Sequence, residues 1–264
     1  MDVRETLGMR WIDSAIAEAA QYPMFFTAAW SAIRPNVGPT FLASAKVVRD
    51  LAAAAAEAGA PPDHAEWIRL ARLQADEVAE VARVLRAFHE NQAKAALVVH
   101  ALARAARGRP AGGSGIEEPP PKRGVPAWQP HARLELPGEG DEAAEALAAA
   151  AKRLGAPRPP DALLALRPWP GYLTRAWRAG RRFTASDTFS KASGRIRRAI
   201  VEGVRRLPHV ISLQWGALRD RGFSEEDRAA VGDALALYDA AMPGTLALVA
   251  YLWVAAGSPK GSRG

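Results

Sequence analysis

Alanine, leucine and arginine recur with a period near 3.6 along most of the chain, whereas β-branched alternation bounded by turns is almost absent. That pattern predicts an all-α protein. Several helix ends can be read from it. Pro23 and Pro170 suit the first turn of a helix, where a missing N–H costs nothing. Ser224, with Asp227 three residues on, resembles a capping box. Gly59 and Gly108 stand where C-caps go. Pro61-Pro62-Asp63, with Asp63 as cap, precedes an apolar helical pattern ending near Gln74.

The pattern is written twice. YPMFFTAAW at 22 to 30 returns as WPGYLTRAW at 169 to 177, with Pro, Thr, Ala and Trp in register. FLASAKVVRDLAAAA at 41 to 55 aligns with FSKASGRIRRAIVEG at 189 to 203, and RAFHENQAKAALVV at 86 to 99 with ALYDAAMPGTLALV at 236 to 249. Two tandem helical repeats related by a pseudo-twofold are therefore expected, the first over 1–107 and the second over 141–264, forming one compact unit. They are joined at 108–140 by a stretch in which 14 residues are Gly or Pro. Within that join GGSG, at 112 to 115, reads as a source of flexibility. The uncharged run from Ala240 to Gly257 approaches the length of a membrane span. Pro243 and Gly244 interrupt it, and its counterpart at 91 to 107 carries charge, so a buried core helix is expected and no membrane.

Composition changes this picture in two respects. There is no cysteine, which removes disulfides, thiolate metal sites and thiol catalysis and fits a reducing compartment. Together with an N-terminus that carries charges where a secretory signal needs an apolar core, this points to the cytoplasm. The net charge is +7, and the excess is local: thirteen Arg or Lys fall between Arg167 and Arg221 against Asp187, Glu202 and Asp220. An anionic partner is admissible.

Candidate chemistry is sparse. The five histidines are scattered, and His89 and His100 would lie about 16 Å apart along a continuous helix, so no metal site is expected. No phosphate loop or dinucleotide motif occurs, and no cofactor is called for. Positions where the matched copies differ in polarity are candidates for a site: Gln92 opposite Met242, Phe88 opposite Tyr238, and Asp161 opposite Ser14. Neutral drift would give the same differences. Asp161 has two readings, because Pro-Pro-Asp at 159 to 161 repeats Pro-Pro-Asp at 61 to 63. It can cap a helix, face a cleft, or do both. Trp11, Trp30, Trp177 and Trp253 read as core residues.

From Trp11 to about Ala256 the chain resembles the group I 2-haloacid dehalogenases. The resemblance rests on MRW at 9 to 11, YPMFFTAAW, RVLRAFHENQAKAALVVHALARAARGRPAGG at 83 to 113, PPDALLALRPWP at 159 to 170 and LALYDAA at 235 to 241. It implies an all-helical two-repeat fold, a small 2-halocarboxylate substrate, and hydrolysis by a water that an aspartate activates, without a covalent ester. Asp161 matches that aspartate. Gln92 falls where the family places an asparagine that holds the water, with Asn91 one residue early. Trp11 and Tyr238 match pocket residues, Phe88 supplies a further apolar wall, Pro160 replaces a serine that precedes the aspartate, and Ser14 stands where an aromatic lines the pocket. A carboxyl with a pKa near 3.9 is a poor base unless apolar walls raise it.

The substitution of Gln92 for asparagine, and of Ala93 for the proline after it, keeps a second function open: a non-catalytic protein of the same fold that binds a small carboxylate or other anion. A nucleic-acid role for the arginines around 195 to 206 is disfavoured, because no aromatics are interleaved with them. A homodimer is an admissible assembly.

Overall fold

The computed structural model describes residues 3–9, 11–62, 64–119, 136 and 141–257. Twelve α-helices occur among them. α1 (Val3–Leu7), α2 (Ser14–Ala20), α3 (Pro23–Ile33), α4 (Pro39–Ala58), α5 (His64–Ala71) and α6 (Ala75–Ala106) precede the join. α7 (Ala144–Leu154), α8 (Asp161–Leu164), α9 (Pro170–Thr184), α10 (Asp187–Arg205), α11 (Trp215–Asp220) and α12 (Glu225–Ala255) come after it. A short 3₁₀ turn, Arg34–Asn36, follows α3, and the single antiparallel bridge among the described residues pairs Ala111 with Ile211. The all-α expectation holds. Each sixth helix is the longest of its run, at 32 and 31 residues, and each third helix opens on proline at its first position.

The chain clusters into two compact units. The first comprises 1–48, 92–129 and 197–242, and the second 49–91, 130–196 and 243–264. Each takes residues from both sides of the join.

In the first unit, Phe25, Trp215 and Phe223 stack with ring centroids 6.0 to 6.4 Å apart, and Arg228 lies 4.3 Å over the Trp215 ring. The start of the join is pinned rather than flexible. Ala111 and Ile211 exchange both backbone bonds, Gly113 and Ser114 donate to Leu207, and Gly115 donates to Pro208. A Cβ on Gly112 would come within 2.5 Å of the His209 carbonyl oxygen, and its φ of +71° also favours glycine. Glu118 then reaches back to accept from the Thr40 N–H at 2.8 Å, supplying α4 with the cap its own Gly38 lacks.

In the second unit, α5 and α7 both pack on α9. His64 and Tyr172 hydrogen-bond at 2.9 Å, with the Trp67 ring edge-on to both, and burial pushes the Tyr172 hydroxyl above its usual range. Phe183 stacks on Tyr251 at 4.3 Å. On α6 the His89 ring lies flat on Trp253, 4.0 Å away and 9° from parallel. Burial first, and the Arg49 charge second, push His89 down to about 4 against the opposing pull of Asp50. Trp253 is thus a half-buried stacking partner, whereas Trp11, Trp30 and Trp177 are buried as expected.

Several predicted helix ends are corrected. The capping box is as read: the Ser224 hydroxyl and N–H both donate to Asp227, whose N–H donates back to Ser224 Oγ. At the end of α4 the left-handed residue is Ala60, with φ of 45°, and not Gly59. Gly59 answers a different need, since a Cβ there would meet the Phe183 ring at 2.6 Å. α5 stops at Ala71, short of Gln74, because Arg72 turns left-handed at φ 55°. The Asp63 cap lies outside the described residues.

Pro243 does not break α12, which runs through it to Ala255. The helix keeps going because a partner is supplied from outside. Proline has no N–H to give the carbonyl of Asp239, four residues back. Arg197 Nη2 donates to that carbonyl at 2.6 Å and to the Ala240 carbonyl at 3.0 Å. The same guanidinium donates to Asp239 Oδ2 at 3.2 Å, and His100 Nδ1 lies 3.1 Å from Oδ1. Burial would raise the Asp239 carboxyl, but the hydrogen bond and charge of His100, with Arg197 behind them, hold it below the usual carboxylate range. α12 is long and apolar enough to cross a membrane, yet 78% of its most apolar window is buried inside the protein, as in a core helix.

Two stability measurements check this account. Arg197→Met should cost about 2 to 3 kcal/mol by leaving a carbonyl and a carboxylate without their donor, which lowers Tm by about 5 to 10 °C. In a Pro243→Ala background the helix regains its own bond and the loss should shrink; an equal loss in both backgrounds sinks the explanation. For His89 the folded pKa is depressed. Its stabilising contribution is therefore complete above the unfolded value near 6.5 and is lost as pH falls from there to about 4. Denaturant unfolding at pH 7 and at pH 4.5 should show a drop of about 2 kcal/mol that His89→Phe, which keeps the stack, abolishes.

Candidate active site

PPDALLAL places Asp161 at the first position of α8, one turn long. Pro160 is the residue before the helix, with φ −54° and ψ 136°, the extended conformation that a proline readily takes. Its carbonyl accepts from the N–H groups of Leu163 and Leu164, and the Asp161 carbonyl accepts from Ala165. Apolar packing holds the turn in place, since Ala162, Leu163, Leu164, Ala165 and Leu166 are all buried. Asp161 therefore is not the N-cap, and its side chain is not in bulk water: the residue is 4% exposed. A buried carboxylate needs a reason to be there.

The amide candidates lie side by side on α6 and differ in their bonding. Asn91 Nδ2 donates to the Ala87 carbonyl at 2.9 Å, one turn back, so its nitrogen is tied into its own helix. Gln92 is 2% exposed, and its carbonyl oxygen is fully enclosed without a hydrogen-bond donor among the described residues. A buried amide in that condition forfeits about 1 to 3 kcal/mol. The indole nitrogens of Trp30 and Trp215 are enclosed in the same way, so Gln92 is a candidate by its place in the sequence and not by this condition alone.

The other candidates are mostly enclosed. Trp11 is 6% exposed, Ser14 9% and Phe88 0%; Pro160 is buried and Tyr238 half-buried. Ser14 opens α2, immediately after Asp13, whose carboxylate caps that helix by accepting from the Ala15 N–H at 3.0 Å. Tyr238 precedes Asp239, so the Arg197 and His100 contacts fix the backbone beside it. Trp11, Ser14, Gln92 and Tyr238 belong to the first unit, and Phe88, Asn91, Pro160 and Asp161 to the second. Among the described residues no three His, Asp or Glu side chains are grouped as metal ligands.

Sequence reasoning missed the Asp239, His100 and Arg197 cluster. A signal was present: a proline inside a helical pattern leaves one carbonyl that some donor must satisfy. What the sequence lacked was any means of choosing Arg197 from thirteen cations.

No protein-family model matches the chain. It is 25% identical over 234 residues to a configuration-inverting 2-haloacid dehalogenase of Pseudomonas sp. (strain 113), an alignment that covers 85% of this chain and 76% of that one. Its fold is that of a D-2-haloacid dehalogenase solved in complex with L-LA, with a TM-score of 0.87 at 18% identity over 97% of this chain and 90% of the other. A mutant D-2-haloacid dehalogenase with D-2-CPA matches with a TM-score of 0.86 at 18% identity over 97% and 89%. The chain is thus similar in sequence across most of its length to a 2-haloacid dehalogenase, and shares its fold across nearly all of it with the D-2-haloacid dehalogenases.

Proposed function

We propose that the protein hydrolyses short 2-haloalkanoic acids, with Asp161 as the general base and Gln92 as the amide that holds the attacking water. The single observation that carries this reading is the burial of Asp161 at the start of an enclosed helical turn, at the position that matches the family's aspartate. The water oxygen forms the new bond to C2 as the carbon–halogen bond breaks, halide departs with the bonding pair, and Asp161 takes the proton. Attack opposite the leaving group inverts C2, which agrees with the configuration-inverting relative. Positioning and proton removal together demand no metal and no cofactor. Trp11, Phe88 and Tyr238 supply apolar walls, and Ser14 and Pro160 complete the lining. The two runs of six helices are read as tandem copies of one pattern, 1–107 and 141–264, with the join at 108–140.

The decisive experiment is halide release from both enantiomers of 2-chloropropionate by the wild type and Asp161→Asn. The variant should lose about 10²- to 10⁴-fold in kcat, the range for a removed general base. A single turnover in ¹⁸O-water with enzyme in excess should place the label in the product hydroxyl at once; unlabelled product means that a carboxylate, not water, attacked carbon. A loss below tenfold removes Asp161 as the base, and no halide from either enantiomer transfers the protein to the non-catalytic anion-binding alternative.

The choice between the two amides has its own test. Gln92→Leu should lower kcat by at least about tenfold while leaving the fold as stable or more so, because it removes an unsatisfied buried oxygen. Asn91→Leu, which breaks a helix contact, should cost stability more than rate. The reverse pattern would make Asn91 the water-holding group.

A further inference from the structure

The basic segment between Arg167 and Arg221 has no part in the proposed reaction, yet it contributes one wall of a groove with a definite chemical character. On α4, Leu51, Ala54 and Ala58 form a stripe at helical spacing, and on α10, Thr188, Lys191 and Arg195 form another. The two stripes enclose a groove of about 250 Å³ in the second unit. Each spans eight residues, or about 10 Å along its helix. The walls are unlike. The α4 side offers only aliphatic carbon, and the α10 side offers an ammonium, a guanidinium and a hydroxyl.

These cations are uncommitted. Lys191 and Arg195 form no ion pair, and the Thr188 side chain makes no hydrogen bond, among the described residues. Elsewhere in the basic segment Arg167 pairs with Asp141, Arg197 with Asp239, and Arg205 and Arg206 with Glu202. The nearest acids in sequence, Asp50 and Glu57 on α4 and Asp187 on α10, do not line the groove. Solvated surface lysines are common, but here the two cations stand over an aliphatic floor in a concavity. A ligand that fills such a space carries one negative head and an apolar tail lying along the alanines.

We propose that this groove is a binding site for a medium-chain monocarboxylate, with the carboxylate held by Lys191 and Arg195 and the alkyl chain laid against Leu51, Ala54 and Ala58. The site is separate from Asp161 and Gln92 and does not depend on the dehalogenase reading. A guanidinium grips a carboxylate with two parallel hydrogen bonds, and an ammonium adds a point charge, so the head is specified more tightly than the tail. Chain length is set by the groove's 10 Å run rather than by a closed end.

The probe is octanoate, titrated calorimetrically into the whole protein, with acetate and octanol as controls. Octanoate should bind saturably at one site. Acetate should bind at least about tenfold weaker, the loss expected from two or three unburied methylenes. Octanol should show at least about tenfold weaker binding for want of a charge. Lys191→Gln with Arg195→Gln should weaken octanoate at least tenfold with Tm unchanged, since both residues are exposed. Ala54→Trp, which fills the groove from an exposed position, should do the same with the cations in place. The proposal is overturned if octanoate does not saturate, or if acetate or chloride binds as tightly and the cations prove to be a plain counterion patch. It is also overturned if either groove variant binds octanoate like the wild type, which would put the site elsewhere.

Discussion

One guanidinium reinforces the longest apolar helix of the second half at its weakest point. Pro243 removes the N–H that the half-buried Asp239 carbonyl would otherwise accept, in the middle of α12. Arg197, entering from α10, donates to that carbonyl, to the next one, and to the Asp239 carboxylate. His100 on α6 holds the same carboxylate from its other side. Three helices are therefore fixed at a single residue. Tyr238 is the neighbour of that residue, so these contacts also hold the backbone that carries a candidate pocket side chain.

The sequence made the helices legible because period and caps are local properties. The prolines that open α3 and α9 and the Ser224 box act within one turn, and each lies where it was read. What was misread depended on distant neighbours. Gly59 looked like a cap but is small because the Phe183 ring is against it. Pro243 looked like a break because its compensation comes from another helix, at Arg197. GGSG looked loose because its partners, Leu207 and Pro208, lie far along the second half's basic segment. Local chemistry predicts where a helix can start; it cannot say which foreign group will rescue a helix that ought to stop.

The site was legible to a lesser degree, and for a related reason. Asp161 could be singled out by position, but from local sequence it read as a cap as readily as a cleft residue; it stands at the first helical position, after Pro160, and is 4% exposed. Asn91 and Gln92 are indistinguishable by residue type, and one step along a helix turns a side chain by about 100°. Their hydrogen bonding differs, since the Asn91 amide nitrogen donates to the Ala87 carbonyl and the Gln92 amide oxygen is enclosed without a donor among the described residues.

The pinned opening of the join bears on how such a chain can change length over evolutionary time. Residues 111 to 115 are bonded to 207, 208 and 211, and Glu118 caps α4, so an insertion before Glu118 would have to pull several partners out of register at once. Gly112 tolerates no side chain against His209. The opening positions of a Gly- and Pro-rich segment that reads as a spacer therefore behave, under selection, like part of the core.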